Sequence, residues 1–415
     1  MSASLFSLLF LSALCLGTVL HLWLQWRQIC HVRKYRTSVP AEFAESIPLE
    51  SHQRSADYTL TKSRFTQVET LFEALLLLVF TQGGIINWLD QTSRGLFSSP
   101  IASGLALIVV FALLNALLML PFAVYSTFSV EAHYGFNNIT PRLFILDQIK
   151  TITLATCIGL PLITLILWLM EKMGNNWWLW VWLTWVGFSV FLMLVFPTWI
   201  APLFNKFSPL EDQSLKTSIE NLLARCGFKS SGVFVMDGSR RSNHGNAYFT
   251  GLGKSKRIVF FDTLLKQLDE PEILAVLAHE LGHFRHRHVV KRLAWTFTIM
   301  LGLLWLLGQL MHQAWFYQGL GVTQGSTAVA LLLFFLVLPV FSFIFAPIGS
   351  WLSRRQEFEA DAYAAKQAQA SDLVAALVKL YRDNASTLTP DPLYSMYYYT
   401  HPPATIRIAA LKSLG

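Results

Sequence analysis

Polar positions thin out in repeated blocks along the 415 residues. Apolar runs of the roughly 20 residues needed to cross a bilayer fall near 4–26, 70–89, 102–126, 152–170, 177–200, 293–312 and 327–349. They predict seven transmembrane helices. Glu69 and Glu73 stand at the start of the 70–89 run, and Gly83-Gly84 interrupt it. Prolines in or beside the runs (Pro121, Pro161, Pro197, Pro339, Pro347) predict kinks. Kinks are tolerated where neighbouring helices or water satisfy the freed carbonyls. The first run lacks a basic start, is too long for a signal-peptide core, and carries its charges (Arg27, Arg33, Lys34, Arg36) afterwards. It reads as an uncleaved span.

Two polar regions remain, 201–292 and 350–415. Residues 211–226 have the spacing of an amphipathic helix, and "GVFVMD" (232–237) that of a short strand. "NAYFTGLGKSKRIVFFD" (246–262) reads as a hairpin around a Gly/Lys/Ser turn. Asp269-Glu270-Pro271 opens a helix with an acidic cap and an early proline. The expected organisation is five spans in 1–200, a polar segment 201–292, spans six and seven in 293–349, and a second polar segment 350–415.

Composition settles the class. The chain is 53% hydrophobic and only 14% charged, against about 25% charged in soluble domains, too little polar surface to cover a water-soluble core. The net charge of +7 is scattered over several inter-span segments, which fits a lipid bilayer as partner and excludes a nucleic-acid groove. Lys and Arg concentrate in 27–65, 201–292 and the tail after 350, and nearly vanish from 90–101, 171–176 and 313–326. That alternation places the N-terminus outside and both polar regions in the cytoplasm. Four cysteines, Cys15, Cys30, Cys157 and Cys226, form no C-x-x-C pair, which argues against a disulfide framework and a cysteine-based metal site. "GLGKS" (251–255) ends like a phosphate-binding loop, but Tyr248 stands where its first glycine is required.

The candidate chemistry lies in "AVLAHELGHFRHRHVVKR", 275–292. On one continuous helix, His279 and His283 share a face and can hold one Zn²⁺, while Glu280 reaches a water beside it. A catalytic zinc takes three protein ligands and a water. "SRRQEFEADAYAA", 353–365, offers the third. Glu357 and Asp361 are four apart on one helical face and fit as ligand and supporting carboxylate; Glu359 points nearly opposite. His286 falls near the ligand face but about 10 Å along the axis from His279. His288 falls off that face. Both read as polar residues at the membrane edge.

The combination resembles the integral-membrane zinc metalloproteases that include the type I CAAX prenyl proteases. It is carried by H-E-L-G-H, a pair of spans, then S-R-R-x-E-F-x-A-D. "YGFN" (134–137), "DGSRRSNHGNAYFTG" (237–251), "RIVFFDTLL" (257–265) and "HPPATIR" (401–407) also match. The resemblance implies an all-α polytopic membrane protein whose seven helices enclose a chamber. A small α+β zincin-like catalytic domain would sit on the cytoplasmic side. It implies one zinc per chain on His279, His283 and Glu357, Glu280 as general base, and Asp361 steadying a ligand histidine. Asn246 and Ala247 would start the edge strand that pairs with substrate, and His401 and Arg407 would stabilise the oxyanion. The substrate would be a peptide or protein, prenylated or membrane-embedded. The short 313–326 segment suggests a bacterial inner-membrane member, with an ER membrane the expectation for a eukaryotic one. The rival readings are a membrane-protein quality-control metalloprotease, and a non-enzymatic seven-span transport or receptor-like protein with a structural metal site.

Overall fold

The computed structural model describes residues 1–250 and 257–414. The chain begins with α1 (Ala3–Tyr35), α2 (Leu49–Phe80) and α3 (Ile85–Leu96), followed by α4 (Pro100–Glu131), α5 (Pro141–Lys172) and α6 (Gly174–Phe204). Large apolar side chains such as Leu16, Leu117 and Trp199 are exposed on these helices, as a lipid solvent allows. Its interior is packed by Phe10, Leu107, Leu167, Leu307 and Phe334.

The 70–89 run is not one helix. α2 and α3 meet at a 48° bend, where Gly84 adopts φ +79, a left-handed conformation that glycine takes most readily. Among the described residues, six helices are long and apolar enough to cross a membrane, and seven spans result when the bent pair counts as one. The first helix also outruns its apolar segment, reaching Tyr35.

The polar region after α6 holds α7 (Gln213–Arg225) and a four-stranded sheet. Its strands are β1 (Phe207–Pro209), β2 (Val233–Met236), β3 (Ala247–Thr250) and β4 (Arg257–Phe261), in the order β1-β2-β4-β3. β3 and β4 pair antiparallel, Ala247 opposite Phe260, while β2 and β4 run parallel. The predicted hairpin turn and "GLGKS" fall largely within 251–256, outside the described residues.

α8 (Glu270–Arg285) leads into α9 (His288–Leu310), and α10 (Thr327–Ser342) runs through one 3₁₀ turn into α11 (Ala346–Gln367). The chain closes with α12 (Ala370–Asp383), α13 (Pro392–Tyr398) and α14 (Ala404–Lys412). Leu222, Ile258, Phe260 and Leu277 from the first polar region share a core with Ala376, Leu377 and Leu411 from the second. The two regions, far apart in sequence, therefore fold together at one end of the bundle.

Candidate metal centre

α8 starts from a reciprocal cap. The Asp269 side chain accepts from the Glu272 backbone N–H, and the Glu272 carboxylate accepts from the Asp269 N–H, satisfying donors that a helix start leaves orphaned. Lys379 of α12 donates to both carboxylates, at 2.7 and 2.8 Å. α8 then crosses α11 at Gly282, where a Cβ would lie 2.8 Å from the Ala360 Cα. This glycine lets the helix bearing two histidines approach the helix bearing the carboxylate.

The approach assembles a triangle. His279 Nε2 and His283 Nε2 are 3.2 Å apart. Glu357 places Oε1 3.3 Å from His283 Nε2 and Oε2 3.4 Å from His279 Nε2. A tetrahedral ion with bonds near 2.0–2.1 Å has ligand-to-ligand edges of about 3.3 Å, so the three donors fit a metal without rearrangement. Glu357 Oε2 is buried and accepts no hydrogen bond from the described residues. An uncompensated buried oxygen is costly, and a cation shared with the imidazoles removes the cost.

Supporting groups surround it. His279 Nδ1 lies 2.8 Å from Asp361 Oδ1, fixing the proton there and leaving Nε2 free as a donor atom. Arg407 grips Asp361 from behind, Nε and Nη2 each donating at 2.7 Å, and its Nη2 stands 3.6 Å from Glu357 Oε2. Burial alone would lower the pKa of that guanidinium; the hydrogen bonds and charges of Asp361, with Glu357, raise it. Glu280 lies one step round from His279. Burial pushes its carboxyl above the usual range, opposed by His279 and His283.

A cleft of about 740 Å³ runs beside this centre, lined by His244, Asn246, His401 and Arg407 among others. The His401 side chain is 63% exposed, with Nε2 3.6 Å from Glu357 Oε1. β3 lies at the end of the sheet order, so one of its edges has no strand partner among the described residues. Asn246 C=O accepts from Phe261 N–H at 3.0 Å. By alternation Ala247 turns its N–H to the open edge, where Asn246 Oδ1 takes it at 2.8 Å. A second cavity of about 360 Å³ lies within the bundle, lined by His21, Glu73, Asn115 and Phe343. His21 is hydrogen-bonded to Tyr398 of the cleft wall, so the two cavities adjoin.

All predicted site residues thus lie in or beside one cleft, but the helix carrying His279 is not continuous through the histidine-rich stretch. α8 ends at Arg285, and Arg287 takes a left-handed conformation, φ 54 and ψ 36. That break swings His288 back. It is 1% exposed and its Nδ1 lies 2.9 Å from His283 Nδ1, so the membrane-edge reading of His288 is corrected. His244 was not singled out either. It stacks on Phe136 at 4.3 Å and faces Glu131 at 3.7 Å. Its place in the matching "SNHGNA" stretch was the available signal.

A bundle of membrane helices holding an H-E-x-x-H helix against a carboxylate as third ligand defines a membrane metallopeptidase. The chain belongs to peptidase family M48, whose match covers residues 209–414, and the CAAX prenyl protease N-terminal family, described by five membrane helices, matches 28–206. It is similar to CAAX prenyl protease 1 of Saccharomyces cerevisiae, 34% identical over 94% of this chain and 91% of that one. The human homolog is also 34% identical, over 92% and 90%. The crystal structure of S. mikatae Ste24p superposes with a TM-score of 0.92 at 33% identity, covering 98% and 99% of the two chains. These relatives are eukaryotic and lend no support to a bacterial source.

Proposed function

We propose that this chain is a zinc endopeptidase that cleaves near the C-terminus of prenylated proteins, with its catalytic face in the cytoplasm. The observation that carries the chemistry is the 3.2–3.4 Å triangle of two imidazole nitrogens and a carboxylate, a donor set that suits zinc. His279, His283 and Glu357 would hold the zinc, which would supply Lewis-acid polarisation of the scissile carbonyl and acidify a water. Glu280, one step round from His279, would act as general base, taking a proton from the attacking water and delivering it to the leaving amine. Asp361, held by Arg407, keeps the His279 proton on Nδ1. His401, open to the cleft, donates an N–H to the developing oxyanion, and Arg407 adds positive charge behind it. The open edge beginning at Asn246 and Ala247 holds the substrate backbone extended.

The prenyl preference rests on the named relatives and on the adjoining cavity, whose wall is largely apolar, with Leu77, Phe80 and Val340 beside His21, Glu73 and Asn115. It is tested by comparing one peptide with and without a farnesyl group on its cysteine. The modified peptide should give the higher kcat/KM by tenfold or more. Equal rates would remove the preference and favour the quality-control reading.

A further inference from the structure

His286, His288 and Glu359 form a second cluster whose donor atoms lie within 4.8 Å of one another. A second metal ion is one use for them. The atoms argue otherwise, because those of His288 and Glu359 are already engaged. His288 Nδ1 faces His283 Nδ1 at 2.9 Å and its Nε2 faces Glu359 Oε2 at 3.0 Å. Glu359 Oε1 lies 3.4 Å from Arg355 Nε.

We infer that His288, pinned by Glu359, is a positioning residue for the ligand His283, acting as the counterpart of Asp361 behind His279. The proton bookkeeping has one solution. His283 directs Nε2 at the metal triangle, so its proton sits on Nδ1 and is donated to His288 Nδ1. His288 must then carry its own proton on Nε2, where the Glu359 carboxylate accepts it. A metal on His288 Nε2 would force a proton onto Nδ1. Two N–H groups would then oppose each other at 2.9 Å, so a second metal disfavours the first. His288 is 1% exposed, so it cannot swing away to water. The device depends on the helix break. On a straight helix His288 would lie about 140° round from His283, and the left-handed turn at Arg287 brings the rings to 5.1 Å between centroids.

The inference rests on the zinc reading above and is tested by zinc affinity in chelator competition on the purified full-length protein, with the melting temperature of metal-free protein measured in parallel. His288→Leu should bind zinc 10–100-fold more weakly than wild type. His288→Gln, which keeps an acceptor for His283 and a donor for Glu359, should recover most of that loss. Glu359→Ala, at a partly exposed position, should weaken binding several-fold with melting unchanged. Wild-type affinity in His288→Leu or Glu359→Ala overturns the inference. So does a second bound zinc that His286→Ala removes. A lowered metal-free melting temperature with unchanged affinity would assign His288 to the fold alone and overturn it too. Wild-type protein that binds no zinc overturns the metalloenzyme reading along with it.

Discussion

At the scale of single residues, the centre separates groups that face the metal from groups that hold those groups still. Arg407 belongs to the second kind, since its Nε and Nη2 are bonded to Asp361. Arg407→Lys keeps the charge but loses the planar fork. It should destabilise the protein by about 1–3 kcal/mol, because a buried carboxylate is left under-satisfied. It should also weaken zinc binding several-fold, measured by chelator competition; unchanged affinity would remove Arg407 from the support of His279. The four-residue spacings of His279 with His283 and of Glu357 with Asp361 made these residues legible, because each pair lies within an unbroken helix. His288 was not legible. Its role depends on a left-handed residue, Arg287, and arginine gives no local signal for that conformation.

At the scale of elements, the centre depends on how closely α8 and α11 approach. Gly282 is the point of contact, with the Ala360 backbone where a side chain would start. Gly282→Ala must push the helices apart, since backbone atoms cannot rotate away. Overpacking of this kind costs about 1–3 kcal/mol, and widening the triangle should lower zinc affinity at least tenfold. Wild-type affinity in this variant would show that Glu357 reaches the histidines without close helix contact. The glycine between the two histidines was visible in the sequence, but its partner was not, because nothing local in 353–365 says where α11 crosses α8. The bend between α2 and α3 was marked in advance by Gly83-Gly84, since consecutive glycines in an apolar run permit a backbone that other residues resist.

At the scale of the molecule, hydropathy and the Lys/Arg bias gave the membrane class and a span count that the bent α2–α3 pair completes. They could not give the joining of 201–292 with 350–415, which rests on side-chain packing between distant segments such as Leu277 and Ala376. The proposed orientation is open to a labelling test in a chain whose four native cysteines are replaced. A cysteine at the exposed position Glu220 should react with an impermeant maleimide only after cells are opened, and one at Asn175 without opening. The reverse pattern would invert the topology. The account stands or falls on Glu280. In purified Glu280→Gln protein it predicts about one zinc per chain, as in wild type, with peptide cleavage reduced on the order of 10²–10⁴-fold. Zinc retained with cleavage intact would contradict it.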